Sequence, residues 1–402
     1  MDGATFQDQI VRLRRALHRE PELGLELPRT QEKVLEALGG LPLEITTGKS
    51  LSSVTAVLHG RSPGPAVLLR ADMDALPLDE LSGVAYASLL PGRMHACGHD
   101  LHTAMLVGAA RLLAGKDFAG SVIFMFQPGE EGYGGAKHMI DEGVLEAAGQ
   151  LPVAAYALHV AASQLPSGWF MTRRGPIMAA VDEVHVTVHG AGGHGSQPHL
   201  ARDPIPPTCE MVTALQTFAA RAFDAFDPIV LSVGSLHAGS KANTLPAEAY
   251  FEFTIRSMSP TAQTRAREGV ARVLRGIASA HGLTVDVDFD SSHPVLVNDS
   301  GEAEHAADTV SRVFGPDRFV WAPNPLTASE DFAYVLDRVP GSLVFLGACP
   351  PDRDLLTAPF NHAADVAFDD AVLTDGAVLL SELALRRLAA SQRRPDFGRA
   401  AT

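Results

Sequence analysis

Three short apolar runs, Ala66–Leu69, Val122–Phe126 and Val153–Leu158, each lead into acids or an imidazole. The first opens into Arg70-Ala-Asp-Met-Asp-Ala-Leu-Pro77, with Asp72 and Asp74. The second opens into Gln127-Pro-Gly-Glu-Glu-Gly132, with Glu130 and Glu131, and the third delivers His159. Unbroken apolar runs bounded by glycine and proline read as strands covered on both faces, the kind a parallel sheet contains. In open α/β sheets the carboxyl ends of the strands form the ligand crevice. Carboxylates there are costly to desolvate unless a cation neutralises them. Taken alone, the Asp72/Asp74 segment reads equally well as an Asp-rich turn; three such strand ends together favour one shared site.

The stretch His95-Ala-Cys-Gly-His-Asp-Leu-His102 sits between the first two runs and concentrates a thiol, three imidazoles and a carboxylate. A C-x-H pair such as Cys97 and His99 can aim sulfur and ring nitrogen at one cation, because Gly98 lets the backbone turn without a side-chain clash. A histidine-rich helix start facing water is the plain alternative. Asp100 reads as the cap of a buried helix Leu101–Ala114, closed by Gly115.

The texture changes at Val181. Glu183–Val188 alternates polar and apolar residues, as a half-exposed antiparallel strand does. A glycine-rich turn (Gly190 to Gly195) follows, then a helix from about Pro204 to Phe223 and strands near Ile229–Leu236 and Ala249–Ile255. A helix Thr261–His281 and a strand Thr284–Phe289 complete a β-α-β-β-α-β order, that of a ferredoxin-like sandwich. α/β character returns from Val295, so the expected organisation is a discontinuous catalytic domain, 1–180 and 293–402, with an inserted lid or dimerisation domain, 181–292. Hinges are expected near Ala180–Val181 and His293–Pro294.

A net charge of -15 argues against nucleic acid or an anionic membrane as a partner. Cys97, Cys209 and Cys349 are far apart and odd in number, which fits a reducing compartment better than a disulfide framework. The first twenty residues form an amphipathic pattern (Ile10, Leu13 and Leu17 among arginines), not a signal peptide, and no run nears the roughly 18 apolar residues of a membrane span. The expected location is cytoplasmic. The Arg/Ala-rich tail is expected to fray.

Together, Arg70–Pro77, Met94–His102, Gln127–Gly132, Leu158-His-Val160, Gly192-Gly-His-Gly-Ser-Gln-Pro-His199, Ser329-Glu-Asp-Phe332 and Asn361-His362 resemble the M20 metallopeptidase superfamily. The likeness is closest to its amidohydrolase branch of hippurate hydrolases, N-acyl-amino-acid amidohydrolases and auxin-conjugate hydrolases. It implies a zinc-peptidase-like α/β domain and a centre of two divalent ions (manganese, zinc, cobalt or nickel). By this resemblance Cys97, His99, Glu131, His159 and His362 are the metal ligands, Glu130 is the general base and Asp74 orients a ligand. Asp72 replaces the wider superfamily's first metal histidine, as is usual for the branch. After His362 the branch often has serine and proline, where this chain has Ala363-Ala-Asp365.

The resemblance also implies that His194 is a lid histidine donating to the substrate carbonyl, often across a dimer, with weaker support for His199. Asn243 and Arg256 are expected to bind the substrate carboxylate, since arginine grips carboxylates bidentately. The implied activity is hydrolysis of the amide bond of N-acyl amino acids by a metal-activated water. A dipeptidase or carboxypeptidase on the same scaffold is the alternative, and a non-catalytic metal-stabilised dimer a more remote one. The expected assembly is a homodimer, or a tetramer, through the inserted domain.

Overall fold

The structure, a computed structural model, describes residues 3–392; the Arg/Ala-rich tail lies outside the described residues. In chain order the helices α1 (Gly3–Arg19) and α2 (Pro28–Leu38) are followed by strands β1 (Glu44–Thr47), β2 (Val54–His59) and β3 (Ser62–Asp72). Next come α3 (His99–Ala114), β4 (Ala119–Gln127), α4 (Gly135–Asp141), β5 (Ala154–Ala161), β6 (Phe170–Thr172), β7 (Gly175–Met178), β8 (Ala180–His189) and β9 (Gly193–His194). Then follow α5 (Ile205–Ala222), β10 (Ile229–Ala238), β11 (Thr244–Leu245), β12 (Glu248–Ser257), α6 (Pro260–Ala280), β13 (Thr284–His293) and β14 (Leu296–Asn298). The chain ends with α7 (Ser300–Phe314), β15 (Phe319–Trp321), α8 (Ala333–Leu336), β16 (Gly341–Gly347) and α9 (Leu373–Gln392).

The chain divides into two compact units. One holds residues up to Ile177, Val297–Asn324 and Tyr334 onward; the other holds Met178–Leu296 and Pro325–Ala333. The short segment joins the second unit because the backbone N–H of Ala179 donates to the carbonyls of Leu326 and Ala328, at 3.0 and 2.9 Å. The Ser329-Glu-Asp-Phe332 motif therefore belongs to the inserted unit, although it lies outside that unit's main stretch in sequence.

The first unit is built on an eight-stranded sheet ordered β1-β2-β4-β3-β5-β16-β6-β15. Its centre is parallel: β3 pairs with β4 and with β5, and β5 with β16. Strands β4, β5 and β16 are buried along nearly their whole length and β3 from Ala66 onward, as their unbroken apolar stretches require. Helix α3 is apolar almost all round and buries Leu101, Met105, Leu106 and Leu113 in the same core as Phe124, Leu346 and Leu383. Each such side chain contributes about 1.5–3 kcal/mol on leaving water. At the start of α2 the buried Glu22 carboxylate accepts the N–H groups of Arg29 and Thr30, supplying the anionic cap that Leu27 cannot.

The second unit carries a four-stranded sheet ordered β10-β12-β8-β13, antiparallel throughout. Strand β8 alternates buried and half-exposed residues along its length. Val184, Val186 and Val188 face a core that also holds Met211 and Leu215 of α5 and Val270 and Leu274 of α6. The strand order and the two helices on one face are those of a ferredoxin-like sandwich.

Candidate metal centre

In the first unit the carboxyl ends of β3, β4 and β5, the start of α3 and the loop after β16 bring their polar side chains together. Cys97 Sγ lies 3.5 Å from His159 Nε2 and 3.2 Å from His362 Nε2. Glu131 Oε1 lies 3.3 Å from His362 Nε2 and 3.9 Å from His99 Nε2, and Glu130 Oε2 lies 4.0 Å from His99 Nε2. Three groupings, Cys97/His99/His159, Cys97/Glu131/His362 and His99/Glu130/Glu131, each gather their donor atoms within 4.8 Å. Side chains 265 positions apart in sequence thus share one site.

Local backbone features aim these groups. Gly98 has φ +83, and a Cβ there would meet Val160 Cγ2 at 2.3 Å, so only glycine fits between Cys97 and His99. Helix α3 begins at His99 with Gly98 as its cap and no side-chain capping bond. Asp100 is therefore not the cap its sequence position implied. It is fully buried, 2.7 Å from Arg14 Nε and 2.8 Å from His18 Nδ1 of α1. His159 lies inside β5, two residues before its end, and its Nδ1 donates to the Val160 carbonyl, which turns Nε2 toward Cys97. Asp74 accepts the backbone N–H groups of both Glu130 and Glu131, each at 3.0 Å, and so holds the glutamate pair in place.

Asp72 takes a different part. Its carboxylate accepts from Arg70 at 2.7 Å and from His102 Nδ1 at 2.5 Å, while His102 Nε2 accepts the Val160 N–H at 2.8 Å. His102 thus carries its proton on Nδ1 and braces β3 against β5 beneath His99. The sequence reading gave it no role, although its position one helical turn beyond His99 puts both on one face of α3.

The electrostatics are those of a cation site. Burial pushes the Cys97 thiol up, but the His159 and His99 imidazoles beside it outweigh this and hold it well below the usual thiol range. Burial likewise opposes charge on His99, and Asp72 and the Cys97 sulfur override it, raising His99 well above an ordinary histidine. Contacts with Cys97 and Glu131 raise His362 to about 10. Burial and the Cys97 sulfur push Glu131 up. Both ring nitrogens of His99 and Oε1 of Glu131 are buried without a hydrogen bond. Buried polar atoms with no such partner, next to a thiol and several carboxylates, fit a divalent cation that would take the place of the protons these groups otherwise hold.

The second unit holds the remaining candidates. Strand β9 pairs with β11, setting His194 opposite Thr244, and the Gly195 N–H donates to the Asn243 carbonyl at 2.9 Å. His194 is exposed; its Nδ1 accepts from the Ser196 backbone N–H and lies 2.8 Å from Ser196 Oγ. That bonding leaves Nε2 to carry the proton in the neutral ring. His199 is exposed on a single 3-10 turn, Pro198–Leu200. Arg256 is half-buried near the other end of β12 and donates to Ser329 Oγ at 3.1 Å. In the sheet Glu248 sits opposite His189 and Arg256 opposite Val181, eight residues along. Glu248 and Arg256 are therefore about 27 Å apart along β12, and Asn243 lies in the turn before β11, beyond the Glu248 end of that strand.

Residues 68–386 match the model of peptidase family M20/M25/M40. Thermostable carboxypeptidase 2 of Saccharolobus solfataricus is 37% identical over 96% of this chain and 97% of its own length. The hippurate hydrolase of Campylobacter jejuni is 32% identical over 95% and 97%. A solved structure of Bacillus subtilis YXEP, described as a dinuclear metal-binding peptidase of the M20 family, superposes with a TM-score of 0.82 at 30% identity, covering 96% of this chain and 99% of that one. Among the described residues no helix is long and apolar enough to cross a membrane. The family match and these near-full-length likenesses agree with the buried ligand cluster, and the chain belongs to peptidase family M20/M25/M40 as one of its hydrolases.

Proposed function

We propose that this chain hydrolyses the amide bond of N-acyl amino acids at a centre of two divalent ions. Cys97, His99, Glu131, His159 and His362 would hold the ions. Divalent ions bound there would supply Lewis acidity, acidifying a water and polarising an amide carbonyl. Glu130 takes the water proton and returns it to the departing amine nitrogen. Asp74 keeps Glu130 and Glu131 in register through their backbone N–H groups. The observation that carries this reading is the difference within the glutamate pair: Glu131 reaches both His362 and His99 and joins a Cys97 grouping, while Glu130 reaches His99 and completes no Cys97 grouping.

Arg256 binds the substrate carboxylate, and His194, as an Nε2–H donor, stabilises the oxyanion with Asn243 and His199 beside it. The length of β12 between Glu248 and Arg256 supports a reading in which a second copy supplies His194 and Asn243 to the substrate that Arg256 holds. Strand β10, an outer strand of its sheet with Val230 and Leu236 exposed, supports homodimerisation through this unit.

A carboxypeptidase activity is the second reading, favoured by the Saccharolobus relative. Both substrates place a free carboxylate beside the scissile amide nitrogen, and they differ on the acyl side. Rates on a benzoyl- or acetyl-amino acid and on a free-amine dipeptide, measured side by side after metal supplementation, separate the two. Faster hydrolysis of the acylated substrates is expected; a preference for the dipeptide overturns the amidohydrolase assignment.

A further inference from the structure

Four of the five candidate ligands stand on, or directly beside, regular elements. Cys97 and His99 flank the Gly98 turn into α3, His159 is in β5, and Glu131 follows β4 and is fastened through Asp74. His362 is different. It projects from a loop, is the most exposed of the ligands, and has φ +72, a left-handed conformation that a histidine seldom adopts. Its ring nevertheless reaches Cys97 Sγ and Glu131 Oε1.

The preceding residue accounts for this. Asn361 Nδ2 donates to the Val160 carbonyl at 2.9 Å and to the Cys97 carbonyl at 3.3 Å, and it lies 3.9 Å from Cys97 Sγ. Its Oδ1 accepts the Ala162 N–H at 3.0 Å. Two carbonyls on one side and an N–H on the other allow only this orientation of the amide. The His362 N–H then donates to the Ala96 carbonyl at 2.9 Å. The carbonyl of Val160 is also the acceptor that orients His159. One amide side chain therefore ties together the three segments that carry Cys97, His159 and His362.

We propose that Asn361 is a positioning residue of the metal centre, setting the reach of His362 and the aim of Cys97 before any cation arrives. The inference rests on the metal-centre reading above. Groups that orient ligands from behind typically carry about 10- to 100-fold in metal affinity. In Asn361→Ala all four contacts go. In Asn361→Asp the acceptor for Ala162 stays and the amide donors go. The added negative charge of that variant would by itself strengthen cation binding, so weaker binding isolates the donors.

The test is titration of the metal-free wild type and both variants with cobalt(II), following stoichiometry against a competing chelator and the thiolate-to-cobalt charge-transfer absorption. The wild type should take up two equivalents. Both variants should lose roughly 10- to 100-fold affinity for one equivalent, with a weakened thiolate band, while circular dichroism and thermal unfolding of the metal-free proteins stay as in the wild type. Wild-type affinity and an unchanged band in either variant overturn the proposal. So does failure of both metal-free variants to fold, which would make Asn361 a purely structural residue. A wild type that binds fewer than two equivalents overturns the metal-centre reading itself, a separate result.

Discussion

The candidate ligands of the first unit and the candidate substrate groups of the second are held in opposite ways. Cys97, His99, Glu131 and His159 are buried or nearly so, on strand ends and a helix start, and each is aimed by a backbone constraint or a further bond. His194, His199 and Asn243 are exposed, on a two-residue strand, a single 3-10 turn and the turn before β11. The difference follows from what each set must do. Anionic donors clustered away from water repel one another and pay a desolvation cost, so they stay together only where the surrounding backbone leaves no other arrangement. Groups that meet a substrate from solvent need reach and pay no such cost. Mutations in the two regions should therefore read out differently.

The largest effect is expected at Glu130. Glu130→Gln keeps the shape of the side chain and removes its capacity to accept a proton, so turnover should fall by about 10²–10⁴-fold while two metal equivalents are retained. Metal analysis beside steady-state rates checks this; lost metal, or turnover near wild type, breaks the assignment. The same variant sharpens the comparison of regions. His194→Ala should also be nearly inactive, and if His194 serves a partner subunit, mixing it with Glu130→Gln should restore activity that neither has alone. The mixed dimer would contain one site with both Glu130 and His194. Mixing that restores nothing confines His194 to its own chain.

How far these roles could be read from sequence depends on the range of the partner. The strands that lead to Asp72, Gln127 and His159 were visible because an apolar run that stops at acids or imidazole is a local pattern, although β5 runs two residues past His159. Pro28 and Gly39 likewise mark the limits of α2 locally. Asp100 was not. An aspartate ahead of an apolar helix looks like a cap, and only the approach of Arg14 and His18 from α1 shows that it pairs with them inside the core. Burial pushes its carboxyl up, yet Arg14 and His18 hold it far below the usual range. His102 and Asn361 escaped for the same reason, since the carbonyls and N–H groups they serve belong to distant segments. The placing of Arg256 eight residues along β12 from Glu248 needed the register of that strand, which no local pattern supplies.

An intermediate effect is expected at Arg256. Burial lowers the pKa of this guanidinium, though it stays charged near neutrality, and it donates to Ser329 on a short segment of its own unit. A charged hydrogen bond to a substrate carboxylate contributes about 1.5–3 kcal/mol, so Arg256→Ala should raise KM for an N-acyl amino acid by roughly 10- to 100-fold. An uncharged amide of the same acyl group should hardly respond. Equal losses on both substrates would return Arg256 to a structural role beside Ser329.

The smallest effect is expected on the open face of the second unit's sheet, where charge meets water. His189 of β8 bridges Glu248 of β12, 3.1 Å away, and Asp286 of β13, 2.8 Å away, with both acids largely exposed. The hydrogen bond to Asp286 is the main cause that raises the His189 pKa, and the bond to Glu248 adds to it. A histidine whose pKa is higher folded than unfolded contributes stability that is fully present below its unfolded value of about 6.5 and fades as the pH rises through the folded value. Solvent screening limits such a pair to about 0.2–1 kcal/mol. His189→Gln should therefore lower Tm by about 1–3 °C near pH 5.5 and by almost nothing near pH 9. Scanning calorimetry of both proteins across that range checks the sign. A loss that grows with pH would mean that His189 acts through its neutral ring, and that the charged face of this sheet is held together by something other than imidazolium bridges.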